Sequence, residues 1–237
     1  MSLNNIEDIA AYIVADGKGI LAADESNPTC GKRFDSIGVE STEENRRDYR
    51  EMLFRSKGMK GNIGGVILFD ETIRQSAADG TLLRDLITSQ DALPGINVHK
   101  GLQPIDDCPG ETVTVGLDGL DERLKEYSSM GAKFTKWRAV INIGEGIPTD
   151  KCIDANMQAL ADYAKCAQDN GMVPIVEPEV LMDGVHSIDD CYDASARSLK
   201  SLFDHLDNKG VNIKGTILKP NMVTSGKDSE IQASIGE

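Results

Sequence analysis

The sequence predicts an α/β protein with the architecture of a (β/α)8 barrel, and three observations point to it. Short apolar runs alternate with longer polar segments of helical spacing along the whole chain, as in a parallel sheet whose two faces are covered by helices. No G-x-G-x-x-G motif follows the first apolar run, which argues against a doubly wound dinucleotide-binding sheet. Charged residues stand at the ends of successive runs, where a barrel carries its chemistry.

Six apolar runs are the candidate strands of this barrel. Each is short and bounded by polar or turn-forming residues, which is typical of buried parallel strands. They begin at Gly19 (GILAAD), Ile63 (IGGVILFDE), Ile96 (INVHKG), Ala132 (AKFTKWRAVINI), Met172 (MVPIVEPE) and Ile213 (IKGTILKP). Because a barrel needs eight strands, we expect residues 1–237 to supply the first six βα units of a single domain that is incomplete at its C-terminal end.

Four segments between these runs are predicted to be helices, and the C-terminal segment after the last run is expected to begin a fifth. STEENRRDYREMLFRSKG has Thr42 as its N-terminal cap, and GLDERLKEYSSMG is a shorter candidate. DKCIDANMQALADYAKCAQDNG repeats its apolar residues at helical spacing, with Thr149 or Asp150 as the cap. The final KDSEIQASIGE is expected to begin a further helix. In IDDCYDASARSLKSLFDHLDNKG the predicted buried face consists of Tyr192, Ala196, Leu199, Phe203 and Leu206.

The composition is that of a soluble globular protein and argues against several function classes. Apolar residues make up 40% of the chain and charged residues 27%. The formal net charge of −14 argues against binding to nucleic acid or to an anionic membrane, and no apolar run reaches the roughly 20 residues of a membrane span. The cysteines are scattered and the histidines lack metal-binding spacing. We therefore expect a cytoplasmic protein with reduced thiols and no metal site.

The residues at the strand ends form a constellation of mixed charge. Residues two apart on a strand point to the same face, so Lys136 shares a face with Arg138, and Glu177 shares one with Glu179. If their strands are neighbours, two cations meet two carboxylates in one pocket. A network of purely structural ion pairs is the alternative explanation. The full set is Asp24, Asp70, Glu71, Lys100, Lys136, Arg138, Glu177, Glu179 and Lys219.

Lys219 directly follows an apolar strand and precedes Pro220, which disfavours helix and keeps the lysine extended. A lysine at a strand end is often only a solvated cap. A lysine that is desolvated beside another cation, here Lys136, is instead a nucleophile that forms a Schiff base with a carbonyl compound. The iminium then withdraws electrons, so that a carbon–carbon bond can break. Asp24 and Glu177 are candidates for the acid and base that this chemistry needs. Phosphate binding is predicted for Lys32, Arg33, Lys100 and Arg138.

Five segments resemble, in order along the chain, the signatures of class I fructose-1,6-bisphosphate aldolases. They are GKGILAADES, VHKGLQPI, GAKFTKWRAVINI, NGMVPIVEPEVL and GTILKPNMVTSG. ADESNPTCGKRF resembles the plant-like and bacterial branch of that family. The resemblance implies a TIM barrel, usually in a homotetramer, that reversibly cleaves fructose 1,6-bisphosphate to dihydroxyacetone phosphate and glyceraldehyde 3-phosphate in glycolysis and gluconeogenesis. It also implies a covalent Schiff base with the substrate, without a metal or an organic cofactor.

The resemblance implies roles for single residues as well. Lys219 resembles the Schiff-base lysine, Glu177 the acid/base of iminium chemistry and Glu179 its partner near the lysine. Asp24 resembles the residue that acts on the C4 hydroxyl of the substrate, and Lys136 the cation that supports Schiff-base formation. The positions that resemble substrate- and phosphate-binding residues are Lys100, Arg138, Ser26, Lys32 and Arg33.

Two departures from the family pattern keep other hypotheses open. The last two βα units and the C-terminal tail of the family have no counterpart in this sequence. The loop after the first strand reads SNPTCG, which differs from the animal enzymes, so Thr29 and Cys30 are assigned no role. One alternative is a barrel fragment that binds sugar phosphates without turnover. Another is a related Schiff-base lyase or transaldolase, which would turn over fructose 1-phosphate and the bisphosphate equally well.

Overall fold

The computed structural model describes residue 3, residues 5–234 and residue 236. No helix among them is long and apolar enough to cross a membrane. The helices are α1 (Ile6–Ile13), α2 (Asn27–Asp35), α3 (Glu43–Phe54), α4 (Asp70–Arg74), α5 (Leu83–Ser89), α6 (Leu120–Ser129), α7 (Asp150–Asp169) and α8 (Ile188–Asn208). The strands are β1 (Gly19–Ala23), β2 (Ile63–Leu68), β3 (Leu93–Asn97), β4 (Leu102–Ile105), β5 (Cys108–Thr114), β6 (Phe134–Ile141), β7 (Val173–Val180) and β8 (Ile217–Leu218).

One sheet has its strands hydrogen-bonded in the order β1-β2-β3-β6-β7-β8. The pairs β1/β2, β2/β3, β3/β6 and β7/β8 are parallel, and helices lie in the connections. The predicted fold class, α/β with the first six strands of a (β/α)8 barrel, is therefore confirmed. The sequence does not predict β4 and β5, which form a separate antiparallel pair between β3 and β6 in the chain.

The third strand of the sheet begins earlier than the sequence predicts, at Leu93 instead of Ile96. It contains Gly95, a residue that usually weakens strands. A Cβ atom on Gly65 of β2 would lie 2.8 Å from the Phe134 ring, and one on Gly95 would lie closer still. The two glycines therefore leave the volume that the fully buried Phe134 ring fills.

The chain divides into two compact units that interleave along the sequence. The first comprises residues 1–97, 122–136 and 170–173, and the second comprises residues 98–121, 137–169 and 174–237. The boundaries fall inside β6 and β7, so both strands contribute to both units. The single domain that the sequence predicts stays a prediction, and each unit is described by itself.

In the first unit, the helix α3 buries charged residues as well as apolar ones. Thr42 caps this helix as predicted, because its Oγ1 accepts a hydrogen bond from the backbone N–H of Asn45 at 3.1 Å. The buried face carries Arg46, Arg50 and Phe54 at four-residue spacing. Arginine is rarely fully buried unless it is paired, so the two guanidinium groups require partners inside this unit.

In the second unit, the helix α7 also begins as predicted. The Thr149 Oγ1 accepts a hydrogen bond from the backbone N–H of Cys152 at 3.1 Å, which caps the first turn. The ring of Tyr163 on this helix stacks with the ring of Trp137 on β6, with 5.4 Å between their centroids. Both aromatic residues are fully buried and belong to the hydrophobic core of this unit.

The predicted buried face of α8 is wrong except for Leu206, which is buried. Tyr192 and Phe203 are 66% and 41% exposed, because the face that this helix buries carries mostly smaller side chains. Arg197 forms an ion pair with Asp150 at 2.6 Å. Small residues let two helices approach closely, and a face that contains serines does not stand out by hydrophobicity. The buried residues are Cys191, Ala194, Ser195, Ser198, Leu202 and Leu206.

The helix that the sequence predicts to begin in KDSEIQASIGE is absent from residues 227–234 and 236, which form turns and irregular structure. Residues 235 and 237 lie outside the described residues. Ile231 is 81% exposed, so the segment buries no apolar face. A short helix without such packing is marginal in water, because its first turn is costly to form.

Candidate active site

The predicted site residues fall into two groups, one in each unit. The first group lies directly after β1, on α2 with the loop before it, and on the part of β6 that belongs to the first unit. The second group lies on the rest of β6, on β7, next to β8 and in the loop after β3. The first group is Asp24, Ser26, Lys32, Arg33 and Lys136, and the second is Lys100, Arg138, Glu177, Glu179 and Lys219.

Asp24 lies at the centre of the first group, immediately after the last residue of β1. Its Oδ2 atom is 3.2 Å from Lys136 Nζ and accepts a hydrogen bond from Asn97 Nδ2 at 2.7 Å. The strand register places Asn97 directly beside Lys136 on neighbouring strands. The two side chains of the ion pair are only 10% and 9% exposed. The carboxylate is therefore held by two donors in a largely desolvated place.

The loop after Asp24 is held by a second set of charges. The carboxylate of Glu25 accepts a hydrogen bond from Arg33 Nη1 at 2.6 Å and one from the Tyr49 hydroxyl at 3.3 Å. Ser26 and Thr29 share a hydrogen bond between their hydroxyl oxygens, 3.0 Å apart. Arg33 is predicted to bind phosphate, but here its guanidinium is already paired with Glu25, and an incoming phosphate would compete with that carboxylate.

Two further residues of this region differ in exposure. Lys32 is exposed on α2, and among the described residues it forms no ion pair. Cys30 lies on the opposite face of the same helix and is fully buried. Burial raises the pKa of the Cys30 thiol. The residue thus packs under the loop as a small apolar side chain, which agrees with the absence of a predicted role.

Lys219 lies at the centre of the second group. Its backbone N–H donates to Val176 O at 3.0 Å, which extends the parallel pairing of β8 with β7 by one residue. The lysine is therefore extended before Pro220, as predicted. Its ammonium contacts the Glu177 carboxylate, and the side chains are 49% and 4% exposed. The amine is thus reachable from solvent, while the carboxylate beneath it is buried.

Asn221 fixes the chain immediately after Lys219. Its Oδ1 atom accepts a hydrogen bond from the backbone N–H of Val180 at 3.3 Å, and its Nδ2 donates to Ser195 Oγ at 3.0 Å. These contacts tie the loop after β8 to both β7 and α8. They limit the freedom of the segment that carries the lysine.

The remaining residues of the second group are Glu179 and the predicted phosphate ligands, Lys100 and Arg138. Arg138 forms an ion pair with Glu179, and each side chain is about a third exposed. This pairing confirms that the two residues lie together, but it also occupies the guanidinium. Lys100 is exposed in the loop after β3, where its backbone N–H donates to Val115 O at 2.7 Å. In the part of the chain that the structure describes, its side chain forms no ion pair.

Three polar residues that the sequence does not single out hold the two groups in place, namely Asn97, Glu25 and Asn221. Asn97 ends β3 just as Asp24 follows β1, so the rule that polar residues at strand ends carry chemistry could have found it. That search considered only charged residues. Glu25 and Asn221 follow a site residue by one or two positions, which is a weaker signal.

Over the described residues, no three His, Cys, Asp or Glu side chains converge as metal ligands.

The second group has the chemical means for attack on a carbonyl carbon. An amine must lose a proton before it attacks and must exchange protons again when a carbinolamine loses water. The Glu177 carboxylate is in direct contact with the amine and can accept and return that proton. The first group supplies a second, separately positioned carboxylate.

Several families of Schiff-base enzymes could have such a site, and comparison with known proteins identifies the family of this chain. A family model described as fructose-bisphosphate aldolase class-I matches residues 5–237. The chain belongs to the class I fructose-bisphosphate aldolase family. A probable class 1 fructose-bisphosphate aldolase of Xanthomonas axonopodis pv. citri is 54% identical over all 237 residues, which correspond to 71% of that relative. Cytosolic fructose-bisphosphate aldolase 4 of Arabidopsis thaliana is 51% identical over 93% of this chain and 56% of its own length.

A solved structure agrees with these relatives. The fructose-bisphosphate aldolase of Plasmodium falciparum, solved in complex with TRAP and a small-molecule inhibitor, matches with a TM-score of 0.95 and 45% identity over 97% of this chain and 67% of that one. The predicted family, with its plant and bacterial members, is confirmed, as is the prediction that the protein is a lyase of the class I aldolase type. The sugar-phosphate substrates of this family make the two charged groups the candidate active-site residues.

Proposed function

We propose that the protein cleaves fructose 1,6-bisphosphate reversibly to dihydroxyacetone phosphate and glyceraldehyde 3-phosphate through a Schiff base on Lys219, without a metal or an organic cofactor. The observation that carries the proposal is the contact between the half-exposed Lys219 amine and the buried Glu177 carboxylate. A substrate ketone can reach this amine from solvent, and the proton donor and acceptor is already in place.

In the proposed reaction, the Lys219 nitrogen attacks the ketone carbon of the substrate. Glu177 takes the proton from the amine and returns it to the carbinolamine oxygen, which leaves as water. The resulting iminium accepts the electron pair of the C3–C4 bond when that bond breaks, and the C4 hydroxyl loses its proton to Asp24. The contacts of Asp24 with Lys136 and Asn97 fix the position of the carboxylate that would accept this proton.

The phosphate groups would be bound by the basic residues of the two groups. Lys100 and Arg138 are proposed for the distal phosphate, and Ser26, Lys32 and Arg33 for contacts from the loop after β1. Arg138 and Arg33 are each paired with a carboxylate, Glu179 and Glu25 respectively. We propose that substrate binding exchanges these intramolecular partners for phosphate oxygens, to which a guanidinium binds in the same bidentate geometry.

The cellular role follows from the same family. We propose a cytoplasmic enzyme of glycolysis and gluconeogenesis that binds sugar phosphates, forms a homotetramer and has no nucleic-acid or membrane partner. The net charge of −14 supports the last point.

The proposal is tested by trapping the Schiff base. The protein is incubated with dihydroxyacetone phosphate, reduced with borohydride and analysed by intact mass and peptide mapping. We expect one adduct on Lys219, none in Lys219→Met, and an unchanged adduct in Lys214→Met, a matched control at an exposed lysine nearby. An unmodified wild-type protein that still binds the compound would instead support the alternative of sugar-phosphate binding without turnover.

A further inference from the structure

A single buried arginine contacts the backbone on both sides of Asp24. Arg50 Nε donates a hydrogen bond to Ala23 O at 3.1 Å, and Arg50 Nη2 donates one to Glu25 O at 2.5 Å. Asp24 is the only residue between these two carbonyl groups. The same guanidinium therefore spans the peptide segment from which the Asp24 side chain extends toward Lys136 and Asn97.

Arg50 is well suited to hold this segment still. Its side chain is fully buried, and α3 is fixed by the Thr42 cap at its start. A guanidinium is planar and presents its donors in a rigid fork, so it bonds two carbonyl oxygens in one fixed geometry. A lysine at the same position has a single nitrogen on a flexible chain and would not reproduce that geometry.

The charge of Arg50 is balanced mainly at longer range. Its nearest carboxylate oxygens belong to Glu25 and Glu71, at 3.9 and 3.8 Å, which is beyond hydrogen-bond distance. Glu71 is itself held by Arg46, whose Nε and Nη2 donate to it at 2.9 and 2.5 Å. The carboxylates thus offset the buried charge, while the short hydrogen bonds of Arg50 go to the backbone around Asp24.

We propose that Arg50 is a positioning residue for the reaction: it sets the backbone on both sides of Asp24, so that the carboxylate meets the proton it is to accept. This inference rests on the proposed function of Asp24 in carbon–carbon cleavage. It predicts that loss of Arg50 slows cleavage far more than formation of the Schiff base on Lys219, since that earlier step uses Glu177 and not Asp24.

The test compares these two steps in the full-length protein. In Arg50→Lys we expect kcat for cleavage of fructose 1,6-bisphosphate to fall about 10- to 100-fold, since a displacement of about 1 Å can cost about a hundredfold in rate. The fraction of Lys219 trapped by dihydroxyacetone phosphate and borohydride should stay within about twofold of wild type. Arg50→Gln has a neutral side chain that keeps one donor group. We expect it to lower kcat for cleavage and to leave the trapped fraction of Lys219 unchanged, as in Arg50→Lys.

Arg46→Lys is the matched control, because Arg46 lies one turn earlier on the same buried helix face and binds Glu71 and Ser41 but no atom of residues 23–25. We expect it to lower the melting temperature comparably and to leave the ratio of cleavage to trapping unchanged. A parallel fall of both steps in the Arg50 variants, an unchanged kcat, or failure of both variants to fold would overturn the proposal. Absence of an adduct in the wild-type protein would instead contradict the proposed function itself.

Discussion

The two groups of candidate site residues differ in how their charges are placed. In the first unit, the Asp24 and Lys136 side chains are 10% and 9% exposed, and buried arginines of α3 hold the surrounding loop. In the second unit, the Lys219 amine is half-exposed on a segment that follows a strand of only two residues. The first group is built as a fixed, desolvated carboxylate site, and the second as an accessible amine above a buried carboxylate.

The difference agrees with the separate demands of the proposed chemistry. A nucleophile must be reached by a substrate that arrives from water, whereas a general base gains from a geometry that does not change between turnovers. The energetic consequences also differ, because removing one partner of a buried ion pair leaves an uncompensated charge. Substitutions around Asp24 should therefore destabilise the protein more than the corresponding substitutions around Lys219.

Lys136→Met should destabilise the protein strongly, because it leaves the Asp24 carboxylate desolvated without its cation. We expect the free energy of unfolding in urea at pH 7 to fall by about 3 kcal/mol. Arg138→Met is the matched variant in the second unit. Its ion pair with Glu179 is about a third exposed on both sides, so we expect a loss below about 1 kcal/mol. Equal losses in the two variants would contradict the difference in burial described above.

Asn97→Ala tests the second contact of Asp24. A hydrogen bond to a charged group contributes about 1.5–3 kcal/mol, so we expect a loss in that range at pH 7. Asn221→Ala removes hydrogen bonds between neutral groups in the second unit and should cost about 0.5–1.5 kcal/mol. Urea unfolding of both variants decides the order, and a larger loss in Asn221→Ala would show that the Asp24 site is not the more tightly held one.

Glu71 links stability in the first unit to pH. Its hydrogen bond with Arg46 lowers the pKa of the Glu71 carboxyl in the folded protein. Because the folded-state pKa lies below the unfolded value of about 4.3, the stabilisation is complete above that pH and is lost as the pH falls through the folded-state pKa.

Glu71→Gln should therefore differ most from wild type near pH 7, by about 1–2 kcal/mol, and the difference should shrink below about pH 4. The control is Asp183→Asn, which removes an exposed carboxylate paired with Lys227; its effect at pH 7 should be the smaller one. Unfolding free energies measured between pH 3 and pH 7 provide the comparison, and a pH-independent gap for Glu71→Gln would be the contrary result.

The smallest expected difference between the two units is in the rate at which iodoacetamide alkylates their cysteines. Cys30 is fully buried under the loop that carries Asp24, with its Sγ 3.9 Å from Glu25 O, and burial raises its thiol pKa. Cys166 in the second unit is partly exposed. We expect iodoacetamide to modify Cys166 first at pH 8 and Cys30 only after the loop opens. Peptide mass mapping over time measures both rates; early modification of Cys30 would mean that the loop is not held closed.

The sequence predicts the strands of the sheet well, because buried parallel strands are nearly continuous apolar runs. It does not predict the β4–β5 hairpin, since Leu102, Gln103 and Pro104 are exposed and give no such run. The helix α2 is missed for a similar reason, as it contains Pro28 and Gly31. The buried face of α8 could not be derived from hydrophobicity, because serine and alanine are selected there by space and not by transfer free energy.

For the site, the residue types at strand ends were predictable, and so was the proximity of Arg138 to Glu179, but the partners of Asp24 were not. Lys136 pairs with Asp24, which is 112 positions away in the sequence, and no sequence pattern indicates that contact. Side-chain pairing depends on depth and strand order, which a single sequence does not contain. The two buried arginines of α3 were also invisible, because EENRRDYREMLF has the composition of a solvated helix.

The Phe134 ring, which occupies the space left open by Gly65 and Gly95, joins three positions that are distant along the chain. A side chain can be added at either glycine only if the aromatic residue becomes smaller at the same time. These three positions are therefore expected to change together during evolution, and an engineer who alters the neighbouring strands β2, β3 and β6 must treat them as one unit of sequence.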